Sequence, residues 1–143
     1  MKSLPSNTDF YFFKDYIKPQ WEHPKNKKGG RWIYDIGWEY DKHREISSHT
    51  ENIWLNLVRF IYKILSIIGN HFKECEYFIT GVVLSIRHYN NKISIWTTNC
   101  DKETILTIGK CFKENCKLDT NEKIHYQMHQ TNPKFGYEPL YTL

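Results

Sequence analysis

Alternation of apolar and polar residues between positions 81 and 98 is the feature that most constrains this fold. The segments Gly81–Tyr89 and Lys92–Thr98 both repeat with a period of two, and Asn90 and Asn91 separate them. This period is typical of β-strands with one buried face, and Asn tolerates the positive φ of a two-residue hairpin turn. We therefore predict a hairpin with the pairs Tyr89–Lys92, Arg87–Ser94 and Ser85–Trp96.

The two faces of this hairpin differ in chemistry. One carries Leu84, Ile86, Ile93 and Ile95, and the other carries Ser85, Arg87, Tyr89, Lys92, Ser94 and Trp96. A slip of one residue would reverse every side chain, so the alternation decides which face is buried. We expect the apolar face to meet helices and the basic, aromatic face to lie open. Such a face suits a ligand that carries phosphates and a ring.

Residue spacing elsewhere predicts the elements around the hairpin. We expect strands over residues 31–36 and 123–129, helices over 53–68 and 101–117, and a helical turn over 9–14. The helices should cover one face of a sheet, because their apolar residues recur at helical spacing. Asn99 is the candidate cap of the second helix, and the tail from Gln130 resembles a loop. Trp32 and Trp54 are expected in the core.

Size, charge and cysteine spacing limit the class of protein. A chain of 143 residues fits a single α+β domain over residues 1–143. The net charge of +4 is a mild bias towards polyanions. None of the four cysteines has metal-site spacing, so we expect no metal and no cofactor. No apolar run approaches ~20 residues and no signal peptide is recognised, so we expect a cytoplasmic protein without a membrane partner.

A loop around Trp21 displays an indole beside a carboxylate. The run Ile17-Lys18-Pro19-Gln20-Trp21-Glu22 precedes Asn26-Lys27-Lys28-Gly29-Gly30-Arg31-Trp32. Pro19 and Pro24 should keep residues 18–24 out of a helix. An indole face attracts a flat cationic ring, while the Glu22 carboxylate would accept hydrogen bonds from its edge. Considered alone, however, a Trp more commonly packs into a neighbouring core.

The loop and the hairpin together resemble the eukaryotic translation initiation factor 4E family, the mRNA cap-binding proteins. Its members show a similar Ile-x-Pro-x-Trp-Glu run, followed by Asn-x-x-Gly-Gly-x-Trp. The hairpin is similar to the family's phosphate-binding hairpin, and Ile108-Gly109 with Lys113-Glu114 resembles its second long helix. The resemblance implies a curved, mainly antiparallel sheet backed on its convex face by two long helices. It also implies a domain that is N-terminally incomplete and lacks the family's first strands.

The resemblance assigns roles to six residues. It implies that Trp21 stacks on 7-methylguanine and that Glu22 accepts hydrogen bonds from N1 and N2 of the base. Trp96 would lie near the methyl group. Arg87 and Lys92 would hold the triphosphate, with support from Arg31 through water. The implied partners are 7-methylguanosine-capped mRNA and, on the helical face, an initiation scaffold protein or a repressor, so that the protein promotes translation initiation.

One departure from the family leaves alternatives open. The family clamps the base between two tryptophans, whereas no Trp precedes Trp21 in this sequence. Loss of one stacking face costs ~1–3 kcal/mol, so weak cap binding is expected unless Tyr11, Trp38 or Tyr40 substitutes. The second hypothesis is a shortened relative that no longer binds the cap and acts through protein interactions. An enzyme ranks third, because the sequence has no His-Glu-x-x-His motif and no nucleophile elbow.

Overall fold

The computed structural model describes residues 7–37, 75–87, 91–130 and 138–143. Within these residues, six antiparallel strands form one sheet with the order β1-β3-β4-β2-β5-β6. The strands are β1 (Thr8–Phe13), β2 (Gly30–Gly37), β3 (Ile79–Ile86), β4 (Asn91–Thr97), β5 (Ile124–Met128) and β6 (Tyr141–Thr142). The helices are α1 (Pro24–Lys27) and α2 (Lys102–Asn115), and a 3₁₀ turn spans Glu76–Phe78. This architecture confirms the predicted fold class.

Several predictions fall on residues outside the described ranges. These are the helix over residues 53–68, the core position of Trp54, and the substitute aromatics Trp38 and Tyr40. Within the described ranges, no helix has the length and apolar character needed to cross a membrane. The same ranges contain no cluster of His, Cys, Asp and Glu that would hold a metal ion. All four cysteines are free thiols.

The β3–β4 hairpin forms as predicted, but in another register. Lys92 pairs with Ser85, whereas the predicted partner was Tyr89, a difference of four positions. β3 ends at Ile86 and β4 begins at Asn91, so the predicted two-residue turn is also wrong. Because four is an even number, the described hairpin residues Leu84, Ser85 and Lys92–Trp96 keep their predicted faces. The apolar side of the hairpin is therefore buried as expected, through Leu84, Ile93 and Ile95.

The buried face of the sheet packs against α2. Ile105, Ile108 and Phe112 of α2 are at most 5% exposed and join one cluster with the strands. Trp32 is fully buried there, as predicted, and its Nε1 donates a hydrogen bond to the Ile105 carbonyl at 2.8 Å. The helix begins after Asp101, whose carboxylate accepts from the backbone N–H of Thr104 at 2.8 Å. The predicted cap, Asn99, is wrong by two residues.

Two edges of the sheet differ from the sequence prediction. Residues 8–13 form strand β1 and not a helical turn, because they pair with β3 along their whole length. Aromatic residues favour strands once a partner strand is present. The tail contributes the two-residue strand β6, which pairs with β5. A strand that short has no detectable periodicity, and the prediction of a loop is wrong at these two residues.

Asn26 stabilises the loop of residues 14–29, which we call the Trp21 loop. Its side chain is fully buried, and Nδ2 donates to the carbonyls of Lys18 at 3.1 Å and Gln20 at 2.8 Å. Residues 18–23 lie outside any helix, as predicted. Pro24 instead opens α1, a position where its missing N–H has no partner to lose. The buried side-chain amide of Asn26 therefore stabilises the conformation of this loop.

Replacing Asn26 by Asp should destabilise the fold. The change exchanges a donating amide for a carboxylate oxygen that faces two carbonyl oxygens in a buried site. We expect the free energy of unfolding to fall by about 2–3 kcal/mol, measured by urea denaturation. Asn121→Asp makes the same chemical change at an exposed position and should stay within about 0.5 kcal/mol of wild type. Equal losses in both variants would contradict the role of Asn26.

Candidate ligand-binding face

The face of the sheet opposite α2, which we call the open face, carries basic, polar and aromatic side chains. Alternate residues of β2, β4 and β5 point to it, and a trough of about 290 Å³ runs between them. We call this the open-face trough. It is lined by Arg31, Ile33, Asp35, Ser85, Lys92, Ser94, His125, Gln127 and Pro139. Two cations and several hydrogen-bonding groups therefore surround a space suited to a polar, anionic ligand.

Arg31 is the cation of the trough that lies deepest. Its side chain is partly buried, and its Cζ lies 6.0 Å from the centre of the Trp96 ring. Burial lowers the pKa of Arg31 from its ordinary value. No carboxylate within the described residues forms an ion pair with it. A guanidinium partly removed from water without an acid partner favours an incoming anion.

Lys92 is already paired with an acid. Its Nζ lies 3.4 Å from Oδ1 of Asp35, and both side chains are more than two-fifths exposed. Exposed ion pairs contribute little, about 0–1 kcal/mol, so an anion could exchange with Asp35 at low cost. Lys92 precedes Trp96 by four residues on β4, which places it roughly 13 Å away along the strand.

Arg87 lies on the β1 side of the open face and outside the trough. Its Nη2 is 2.8 Å from Oδ1 of Asp9, and its Nη1 donates to the Thr8 carbonyl at 3.4 Å. The hydrogen bond from Arg87 is the main cause that lowers the pKa of Asp9, and in return Asp9 raises the pKa of Arg87. The predicted phosphate-binding pair is therefore split between two sides of the hairpin.

Trp96 is buried among the side chains of Phe13, Arg31 and His129. It is 8% exposed, and the Phe13 ring meets it edge-on at 5.4 Å. The His129 ring is closer, at 4.2 Å between ring centres. Burial and the positive charge of Arg31 lower the pKa of His129 to about 4, so the imidazole is neutral at pH 7. Phe13 and His129 are not among the residues predicted for the site.

Trp21 and Glu22 are displayed on the Trp21 loop and do not line the trough. Trp21 is 47% exposed, and Glu22 is also exposed. The loop leaves β1 after Phe13 and enters β2 one residue before Arg31, and both of these side chains contact Trp96. The ends of the loop therefore lie beside the aromatic end of the trough. Tyr11, a predicted substitute aromatic, is on β1 and half exposed.

The structure thus distributes the six predicted site residues over three neighbouring places. Arg31 and Lys92 line the trough, with Trp96 packed under Arg31. Trp21 and Glu22 stand on the loop, and Arg87 pairs with Asp9 at the far end of the hairpin. The alternation of residues along the hairpin predicts which face of the sheet each of its side chains lies on. The acid partners of Lys92 and Arg87 could not be predicted in this way, because they come from other strands.

Comparison with known proteins identifies relatives of the chain. The family model described as eukaryotic initiation factor 4E matches residues 1–139. Translation initiation factor 4E of Candida albicans is 30% identical over 98% of this chain and 62% of its own length. Factor 4E-2 of Schizosaccharomyces pombe is 34% identical over 93% of this chain and 50% of its own length. The chain therefore spans between half and two thirds of the length of these curated relatives.

Solved structures of the same family share the fold. Ascaris suum eIF4E-3 in complex with an m2,2,7G cap superposes with a TM-score of 0.78 at 31% identity, over 98% of this chain and 71% of that chain. Caenorhabditis elegans eIF4E-3 in complex with the 4E-binding protein Mextli gives a TM-score of 0.80 at 28% identity, over 100% of this chain and 75% of that chain. With a family model that matches residues 1–139, these likenesses show that the chain belongs to the eukaryotic initiation factor 4E family.

Proposed function

We propose that this chain binds the 7-methylguanosine cap of mRNA between the Trp21 loop and the open-face trough. The observation that supports this best is Arg31, a partly buried guanidinium that packs on Trp96 and has no carboxylate partner within the described residues. A relative, Ascaris suum eIF4E-3, is known in complex with an m7G cap. In this role the protein is not an enzyme and brings capped mRNA to the translation machinery in the cytoplasm.

The base would be bound at the loop end of the open face. The exposed indole of Trp21 offers a face to 7-methylguanine, whose positive charge strengthens the attraction to an aromatic ring. The Glu22 carboxylate would accept hydrogen bonds from N1 and N2 of the base. Trp96 would contact the methyl group. The bond from Asn26 to the Gln20 carbonyl, directly before Trp21, limits the movement of both loop residues.

The phosphates would follow the trough from Arg31 towards Lys92. The hydroxyl of Ser94 lines the same space and adds a hydrogen-bond donor. Lys92 must exchange Asp35 for phosphate, and Arg87 must exchange Asp9. Arg31 has no competing carboxylate within the described residues. We therefore expect Arg31 to contribute more to the free energy of phosphate binding than Lys92 or Arg87.

Membership of the family supports a second partner. We propose that a translation initiation scaffold protein or a repressor binds the helical face, since Caenorhabditis elegans eIF4E-3 is known in complex with the 4E-binding protein Mextli. The surface predicted for this contact, the helix over residues 53–68, lies outside the described residues. The alternative function, a relative that no longer binds the cap, would retain this partner alone.

Binding of 7-methyl-GTP and GTP, measured by isothermal titration calorimetry, tests the cap-binding proposal. We expect tighter binding of the methylated nucleotide, and Trp21→Ala should weaken it about ten- to hundredfold because one base–aromatic stack is lost. Tyr16→Ala removes an aromatic that is 71% exposed in the same loop and should leave binding unchanged. Equal affinity of the wild-type protein for both nucleotides would instead favour the alternative that acts only through protein partners.

The trough predicts how affinity depends on phosphate number. We expect Arg31→Gln to weaken the binding of 7-methyl-GTP about tenfold or more, by the usual energy of a hydrogen bond to a charged group. The same substitution should weaken the binding of 7-methyl-GMP less, because that ligand carries fewer phosphates. Lys92→Gln should have a smaller effect than Arg31→Gln, since Asp35 already neutralises Lys92. Lys110→Gln, at an exposed position on α2, is the charge-matched control. An equal loss in that variant would mean non-specific charge attraction.

A further inference from the structure

We propose that His129 is a positioning residue for Trp96, and that it thereby sets how strongly the site prefers a methylated guanine nucleotide over an unmethylated one. This inference rests on the proposed cap-binding function and deepens it. It concerns a residue that follows β5 directly and was not among the predicted site residues.

The backbone of His129 is fixed to the base of the Trp21 loop. Its N–H donates to the Gly29 carbonyl at 3.0 Å, so the residue extends the pairing between β5 and β2 by one step. From this position its ring lies 4.2 Å from the Trp96 ring, with 44° between the planes. That distance is shorter than the 5.4 Å contact between Phe13 and Trp96. His129 is therefore the nearer aromatic support of Trp96.

Packing alone orients the Trp96 indole. Its Nε1 is buried and has no hydrogen-bond partner within the described residues. Trp32 provides the contrast, because its Nε1 is fixed by the Ile105 carbonyl. An indole without such a bond keeps its tilt only through the rings and the guanidinium around it. Removal of the nearest ring should therefore change the tilt of Trp96 and leave its position on β4 unchanged.

The charge of His129 fits this supporting role. Burial and the nearby Arg31 lower its pKa to about 4, while a hydrogen bond with the Gly30 backbone acts in the opposite direction. Within the described residues, Arg31 is the charged group that acts on it, and the ring also contacts Trp96 and the Gly30 backbone. A neutral ring can pack against Trp96 without placing a second positive charge beside Arg31 and a cationic base.

A change in tilt should affect the methyl group more than the phosphates. Dispersion attraction is short-ranged, and a gap of 0.5–1 Å already loses roughly a quarter to a half of it. The methyl contact with Trp96 exists only for the methylated nucleotide. The contacts of the phosphates with Arg31 and Lys92 are common to 7-methyl-GTP and GTP. His129 should therefore control the ratio of the two affinities and not only their overall level.

The ratio of the dissociation constants for GTP and 7-methyl-GTP, measured by calorimetry, tests this inference. We expect His129→Ala to reduce the ratio about three- to tenfold, the range of one aromatic pair, while His129→Phe keeps it within about twofold of wild type. Gln130→Ala, at the next and exposed position, should change nothing. Circular dichroism confirms that each variant is folded.

The outcomes separate this inference from the proposed function. A wild-type protein without preference for the methylated nucleotide would overturn cap binding itself. A wild-type preference that survives in His129→Ala would overturn only the role of His129. A loss that His129→Phe does not restore would also overturn it, because the ring would then not be the group that matters.

The pH dependence of stability tests the burial of the neutral imidazole. Because the folded pKa of about 4 lies below the unfolded value of 6.5, the unfolded chain binds the proton first as the pH falls. Wild-type protein should therefore lose stability between pH 6.5 and pH 4. His129→Phe should lack this part of the loss in urea denaturation at pH 7 and pH 5. Parallel losses in both proteins would show that the imidazole is not desolvated against Trp96.

Discussion

The buried indole of Trp32 is the contact on which the rest of the structure depends. Its Nε1 bonds the Ile105 carbonyl of α2, and its ring meets Tyr126 of β5 edge-on at 5.3 Å. Gly109 allows α2 to come this close, because an added Cβ would lie 2.6 Å from the indole. Loss of a buried Trp of this kind costs about 3–5 kcal/mol. One side chain therefore joins the helix to strands β2 and β5.

The same indole determines where the proposed site lies. Successive strand residues point to opposite faces, so Trp32 on the buried side forces Arg31 onto the open face. Since β2 is paired on both sides, Arg31 stands between Trp96 of β4 and Gln127 of β5. Hydrophobic packing on one face thus positions the cation on the other. A substitution that shifted Trp32 would therefore shift the Arg31 guanidinium as well.

Local pattern explains what the sequence could predict and where it failed. The faces of β3 and β4 were predictable because a period of two needs no knowledge of the partner strand. The register was not, because it depends on where β3 ends and β4 begins. His129 carried no local signal, since its role comes from a contact with Trp96, which lies 33 positions earlier in the chain. The structural role of Asn26 carried no local signal either, because it comes from hydrogen bonds to the carbonyls of Lys18 and Gln20.

In the proposed complex, the open face would separate two kinds of recognition. At its loop end, Trp96 is 8% exposed and is held by ring contacts, so selectivity for a base there would depend on packing. At its far end, Lys92 and Asp35 are each more than two-fifths exposed, so attraction to phosphate there would be screened by salt. Arg31 lies between these ends and belongs to both, because it packs on Trp96 and also lines the trough. Ionic strength should therefore alter overall affinity at the far end and leave the choice between bases largely to the rings.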